Sequence, residues 1–440
     1  MWKHENTIGT LSWPIPAALA AAALWATAAL AAAPASGPEW NQWRGSPSRD
    51  AISTDTGLLK AWPEGGPPLL WKVTDLGGGF SGVSFSGNRI FTMGDVGNDC
   101  SILALNLADG KTLWAAKVGK TGGGGGYPGP RCTPATDGTL AWALGQYGDL
   151  VCVEAATGKE RWRKNLPSDF GGKMMSGWGY SESPLLDGDR IVCSPGGSRG
   201  TVVALNKETG AVVWQSKELA EPASYSSLAT AEIGGARQYI VLTSESVSAV
   251  AAADGKLLWH APRTGKTAVI PTPNYRDNLV FVTSGYGIGC NAFRITAGGG
   301  TFKAEPAYSD SKLANHHGGV LLVGDHLYTI VDAGALTCID FKTGKVAWQN
   351  PGVGKGSIAY ADGRLIIRSE KAKGTIALVE ATPAGYKEAG RFNQPDRSDK
   401  NSWPHPVIFQ GRMYIRDQGV LLCYDLKAKQ RPSEGHSGLQ

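Results

Sequence analysis

Five stretches of this chain end alike: ALNLADGKTLW at Trp114, CVEAATGKERW at Trp162, ALNKETGAVVW at Trp214, AVAAADGKLLW at Trp259 and CIDFKTGKVAW at Trp348. No other feature constrains the fold as strongly, because a chain that reuses one segment builds one structural unit several times. Aligned on the small residue that opens the motif, eight copies appear, at Ala104, Cys152, Ala204, Ala249, Ala292, Cys338, Ala377 and Cys423. They recur roughly every 45 residues, the period of propeller blades. Read in the same register, the aromatic of the fifth copy is Phe302, and the copy at Ala377 has none.

Within a copy, runs such as CSILALNL and LTCIDF are strand-like. A DG or TG pair follows, and its Gly accepts the positive φ that a tight reversal needs. A short strand carrying the Trp comes next. Upstream, a further turn and strand recur, as in SGNRIFTM, LDGDRIVCS and VGDHLYTI, and before them one more short strand. Four short strands per unit make one propeller blade. A β-sandwich has no reason to repeat a sequence eight times, and a right-handed β-helix has much shorter rungs. The fold class is therefore all-β, an eight-bladed β-propeller. The last copy ends without its Trp strand, whereas PPLLWKV near the N-terminus is a Trp strand without a preceding turn. The strand around Trp71 is thus expected to complete the last blade and close the ring, which leaves no free radial edge.

A large ring beside Ala or Cys suggests an aromatic lying flat between adjacent blades. Trp71, Trp114, Trp162, Trp214, Trp259, Phe302 and Trp348 are the expected docking residues. Each indole buries on the order of 150–250 Å², an upper estimate of several kcal/mol per blade at ~25 cal/mol per Å².

The flanks divide the chain into a leader at 1–35, an N-terminal arm at 36–60, the propeller at 61–426 and a tail at 427–440. Lys3 and His4 precede an Ala/Leu stretch from Ala17 to Ala33, followed by Pro34 and small residues, the pattern of a secretory signal peptide. The alternative is an N-terminal membrane anchor, for which the stretch barely reaches the ~20 apolar residues of a span. The reading implies a periplasmic or secreted protein with no membrane span once the leader is removed, expected to be a monomer. Three of the seven cysteines, Cys152, Cys338 and Cys423, occupy positions that are Ala in other copies, which points to small apolar packing. Cys100, Cys132, Cys193 and Cys290 allow one bridge without indicating it, and there is no C-x-x-C. The net charge of +5 is spread along the chain rather than gathered into a patch, which argues against nucleic acid.

The motif A-x-D-x-x-T-G-K-x-x-W resembles the tryptophan-docking repeat of quinoprotein (PQQ-repeat) propellers. It is matched at Cys338-Asp340-Thr343-Gly344-Lys345-Trp348 and at Ala204-Asn206-Thr209-Gly210-Trp214. WNQWRG, GWGYSESPLLDGDR, NHHGGVLLVGDHLY and GKGSIAYADGRL look like a secreted bacterial branch of that family. The resemblance implies the propeller fold. It does not imply the quinone, because dehydrogenases of the family hold PQQ under a disulfide between adjacent cysteines and bind calcium through carboxylates and amides. This chain has no Cys-Cys pair, and its repeats are close to minimal length. The family also holds non-catalytic members, including an outer-membrane assembly lipoprotein anchored through an N-terminal Cys, which this chain lacks.

In a propeller the segments leading into the innermost strands rim the central channel. Here they carry Tyr127 and Arg131; Trp178, Tyr180 and Glu182; Tyr225; Asn315, His316 and His317; Lys355; and Trp403 with His405. Such a rim suits an anionic or sugar-like ligand, although buried carboxylates and Arg near a channel also serve as hydrogen-bonded plugs. His316 and His317 are adjacent, so in extended chain they point apart and do not share a metal; no metal site is assigned. The Gly122–Gly126 run and Gly265-Lys266-Thr267 lack phosphate-loop spacing, and no nucleophile elbow is present. The arm, with Trp40, Trp43 and Arg44, is expected to pack across a face. These observations favour a non-catalytic module that binds a small-molecule ligand or an envelope protein at the channel mouth, with no catalytic residue and no cofactor assigned. The alternatives are a PQQ- and calcium-dependent alcohol or sugar dehydrogenase, with Glu182 and Arg131 near the quinone, and a scaffold for envelope protein assembly.

Overall fold

The computed structural model describes residues 40–45, 48–370 and 373–428. The leader expected at 1–35 lies outside the described residues, as does the tail beyond 428. Eight antiparallel sheets follow one another along the chain, with blade 1 at 84–120, blade 2 at 135–165, blade 3 at 185–215, blade 4 at 229–262, blade 5 at 274–310, blade 6 at 320–350 and blade 7 at 356–393. Blade 8 is built from 407–425 and from Leu69–Val73, which pairs with Val420–Asp425. The ring therefore closes where the sequence predicts. A single short helix, Leu166–Phe170, is present among the described residues. None of their helices is long and apolar enough to cross a membrane.

The docking aromatics follow one rule. Trp114 faces Ala104, Trp162 faces Cys152, Trp214 faces Ala204, Trp259 faces Ala249 and Trp348 faces Cys338 across their hairpins, and Trp71 faces Cys423 across the strand pair that closes the ring. Several rings then lie on the turn glycine of the next blade. A β-carbon added to Gly158 would sit 2.6 Å from Trp114, and one on Gly210 would sit 2.8 Å from Trp162. The indole N–H groups donate to a carbonyl at the same turn: Trp114 to Ala155 (3.3 Å), Trp162 to Lys207 (3.0 Å) and Trp214 to Ala252 (3.1 Å). A buried N–H thus finds an acceptor while the ring face is covered. Trp259 departs from the rule and donates to Gln238 of its own blade at 2.8 Å.

Blade 5 corrects one expectation. Ala292 faces Tyr308, not Phe302, which pairs with Ala297 near the hairpin tip. Gly299 and Gly300 both take positive φ, 57° and 76°, the geometry of a two-residue primed turn. That turn moves the reversal outward, lengthens both strands and carries Phe302 past the docking position. Tyr308 fills the position: its ring lies on Gly344, and its hydroxyl donates to Phe341 O at 2.7 Å.

In blade 7, Ala377 faces Arg391, so no docking aromatic is in register. The segment that follows the arm supplies one. Trp62 N donates to Ala389 O at 2.8 Å, and its ring meets Phe392 edge-on at 6.0 Å. Phe392 in turn meets Tyr424 of blade 8 at 5.4 Å. All seven cysteines are buried and free.

The arm does not lie across a face; it runs inside the central channel. Trp40 O accepts from Phe85 N, Asn41 O from Thr136 N, and Gln42 Oε1 from Leu186 N. Arg49, 1% exposed, donates to Leu228 O and Ser183 O, both at 2.8 Å. Trp43 Nε1 donates to Thr272 Oγ1 (3.1 Å), and Arg44 Nη2 donates to Val320 O. Ile52–Ser53 then pairs in parallel with Gly356–Ala361, and Asp55 Oδ2 accepts from Gly411 N at 2.8 Å. The arm thus bonds in turn to the inner part of every blade.

Candidate functional site

With the channel filled by the arm, the segments leading into the inner strands enclose a cavity on one side of it, about 860 Å³ counted out to its open mouth. Every blade except the seventh contributes to its wall. Trp43 and Arg44 of the arm form part of the lining beside His405, whose ring is 5.0 Å from that of Trp43.

Aromatic rings make much of the wall. Phe80 and Trp403 are 4.3 Å apart, Tyr127 and Trp403 4.9 Å, and Trp178 stacks with Tyr225 at 6.1 Å. Arg131, itself on the wall, fastens this arc. Its Nη1 donates to Trp178 O at 2.9 Å and its Nη2 to Tyr127 O at 2.8 Å. Burial lowers its pKa.

On the far side stand His316 and His317, both lining the cavity with rings 5.3 Å apart. The expectation that they point apart fails because the chain bends at 316–318 instead of running extended. His316 Nδ1 is bonded to Lys355 Nζ. Burial, with His317 and Lys355 beside it, holds the pKa of His316 down at about 3. Burial and the nearby Arg44 do the same to His405, whose Nε2 contacts His317 O at 3.0 Å. Both rings are therefore neutral at ordinary pH.

Behind this wall lies Glu370, which no sequence pattern marks, since it stands in the turn after the second strand of blade 7. It accepts from Trp403 Nε1 at 3.0 Å and lies 3.4 Å from His317 Nε2 and 3.7 Å from Lys355 Nζ. Burial opposes its charge, but His317, Trp403 and Lys355 outweigh that and hold its pKa at about 2.

Of the expected rim residues, Arg131, Trp178, Tyr225, His316, His317, Trp403 and His405 line the cavity. Tyr127 flanks the aromatic arc, and Lys355 stands behind His316. Tyr180, Glu182 and Asn315 sit within the blades. Tyr180 donates to Pro195 O (2.9 Å), Glu182 accepts from Ser194 N, and Asn315 Nδ2 donates to Thr329 Oγ1 (2.8 Å) and Ile330 O (2.9 Å). Burial, only partly offset by Ser194 and Arg49, pushes Glu182 up to about 7. Sequence reasoning missed Phe80, Ser183, Ser227 and Thr272. Phe80, Ser183 and Ser227 share the register of the residues it did select, just ahead of an inner strand.

The donor set does not suit a quinone with its calcium. Among the described residues no carboxylate lines the cavity, and no group of three or more His, Cys, Asp or Glu is placed to hold a metal. Every cysteine is buried and unpaired.

Comparison with known proteins agrees with the fold. Residues 98–350 match the sequence profile of a family described as outer membrane protein assembly factor BamB. Among curated proteins, serine/threonine-protein kinase AfsK of Streptomyces griseus is 28% identical over 167 residues, which is 37% of this chain and 19% of that one. The chain thus spans about a fifth of that relative's length. Among solved structures, BamB from Moraxella catarrhalis superposes with a TM-score of 0.57 at 15% identity, over 78% of this chain and 96% of that one. Quinohemoprotein alcohol dehydrogenase from Comamonas testosteroni gives 0.50 at 12% identity, over 92% and 82%. At such identities both likenesses concern the fold alone. The profile match spans more than half of the sequence, and with the docking register and the eight closed blades it makes this chain a member of the BamB-like family of PQQ-repeat β-propellers.

Proposed function

We propose that this propeller is a non-catalytic binding module that works in the periplasm or outside the cell and seats its ligand in the cavity at the channel mouth. One observation carries the reading: segments from seven blades and the N-terminal arm converge on a single aromatic-walled cavity. Concave, mostly apolar sites with a few placed polar groups are where ligands bind. Placement outside the cytoplasm draws on the Ala17–Ala33 stretch and its flanks. The test is a thermal-shift screen of purified protein against metabolite and short-peptide panels, repeated with a Ser181→Trp variant: Ser181 lines the cavity, and an indole in its place fills it. A compound that stabilises the parent and not the filled variant supports the reading. Dye reduction with an alcohol in the presence of PQQ and calcium overturns it.

A scaffold role in envelope protein assembly is the second reading, favoured by the description of the matched family. It predicts a protein partner whose capture survives Ser181→Trp, because a partner seated on the outer surface does not need the cavity.

A further inference from the structure

We infer that the cavity takes a carboxylate borne on a flat apolar group, an inference that rests on the channel mouth being the binding site. The charge on the wall points there. Arg44 and Arg131 line the cavity and no Asp or Glu does; among the described residues neither guanidinium is in ion-pair contact with a carboxylate, and the one carboxylate near enough to favour the charge on Arg44 is Asp50, which is not on the wall. A buried cation without an anion is costly unless something else completes it. Burial lowers Arg44 only to about 10, so it stays charged at neutral pH.

Both guanidiniums are fixed in place. Arg44 is 4% exposed; its Nε donates to Arg49 O and its Nη2 to Asp50 O, each at 3.0 Å. Its remaining nitrogen, Nη1, lies against Gly319 on the wall, where a β-carbon would come within 2.5 Å of it. Only Gly leaves that nitrogen its place. Arg131, held by Trp178 O and Tyr127 O, has further N–H groups to offer.

Hydroxyls on the wall add donors of a second kind. Ser183 Oγ accepts from Thr133 N (2.9 Å), Ser227 Oγ from Ser183 N (2.9 Å) and Thr272 Oγ1 from Trp43 Nε1 (3.1 Å). Each oxygen already accepts a bond; the O–H groups of Ser227 and Thr272 are left to donate, whereas that of Ser183 also stands beside Cys132, and all three residues line the cavity. The polar part of the wall is thus rich in donors and suits an acceptor group. A planar carboxylate matches the guanidinium fork. The arc of Phe80, Trp403 and Trp178 fits the flat apolar body that carries it. A neutral sugar would leave both guanidiniums unmatched.

Two sources share this chemistry: a free aromatic acid, and the C-terminal residue of a chain. The test uses matched probes on the unaltered protein, read by calorimetry: N-acetyl-L-tryptophan against N-acetyl-L-tryptophanamide, which differ in the carboxylate alone. The acid is expected to bind at least about tenfold tighter, to weaken with salt, and to lose that margin in Arg131→Lys. If the amide binds as tightly as the acid, and Ser181→Trp abolishes both, the carboxylate inference falls while the binding site stands. If both bind equally and Ser181→Trp changes neither, the site falls with it. Failure of the acid to bind at all overturns the inference, and the panel screen then judges the site. Indole-3-acetate and the tripeptide Ala-Ala-Trp separate the sources: preference for the first supports a free acid, and preference for the second a chain end.

Discussion

Trp71 faces Cys423 of the last blade and lies on Gly110 of the first, so a single ring joins the two ends of the chain. A β-carbon at Gly110 would sit 2.7 Å from that indole, at a φ of 73°. Its N–H has no partner among the described residues, and Leu107 O, which stands where other blades offer the indole an acceptor, accepts instead from Arg412 Nη1 at 3.1 Å. The closure therefore depends on ring packing more than on hydrogen bonding. Gly110→Ala is expected to cost about 2–4 kcal/mol, from strained backbone and overpacking together. Gly87→Ala, at φ 55° with nothing within 4 Å, is expected to cost only about 1 kcal/mol. Urea unfolding of the two variants checks this, and equal losses would remove the docking explanation.

The shifted register of blade 5 gives a second comparison. Tyr308→Ala removes a ring seated on Gly344 and a bond to Phe341 O, and is expected to cost about 3–5 kcal/mol. Phe302→Ala acts near the hairpin tip and is expected to cost clearly less. Melting temperatures of the two variants decide between the registers; a larger fall for Phe302→Ala contradicts docking by Tyr308.

Two buried carboxylates tilt stability in different pH windows. Glu182, raised from its ordinary 4.5 to about 7, keeps its proton in the folded state after the unfolded chain has lost it. Stability therefore falls as pH rises from about 4.5 to 7, by about 3 kcal/mol in all. Glu370, held at about 2, acts the other way: its contribution is complete above about 4.5 and is lost as pH falls toward 2. Urea midpoints between pH 3 and 8 are expected to flatten on the neutral side in Glu182→Gln and on the acid side in Glu370→Gln. An unchanged neutral slope in Glu182→Gln contradicts the raised pKa.

The parts of this fold that were legible in the sequence are those set by local spacing. A small residue, a turn glycine and a Trp fall at fixed intervals, so the blade count and the pairing of Trp71 with Cys423 follow from the letters. Phe302 misled because register depends on where the reversal forms, and Gly299-Gly300 moved it. The rim segments were legible by their place ahead of the inner strands. Which of their side chains turn inward was not: Glu182 and Asn315 are held inside the blades, and a bend brings His316 and His317 to one side. Glu370 and the path of the arm rest on contacts between residues far apart in sequence, which no periodicity records.

The arm offers the most direct test of the cavity's construction. Arg49 ties it to blades 3 and 4 through Ser183 O and Leu228 O, and Ser183 is itself on the cavity wall. Arg49→Leu leaves two buried carbonyls without donors, at about 1–3 kcal/mol each. It also removes a buried charge, which offsets part of the loss. The net expectation is a fall of about 2–4 kcal/mol, with the arm loosened from the channel. Because Phe85 and Thr136 give their amide protons to Trp40 O and Asn41 O, those two amides are expected to exchange with deuterium faster in the variant, while the hairpin amides of the outer strands keep their protection. Uniform loss of protection across the ring would mean that Arg49 supports the whole propeller rather than the arm, and full retention at Phe85 and Thr136 would mean that the arm is held without it.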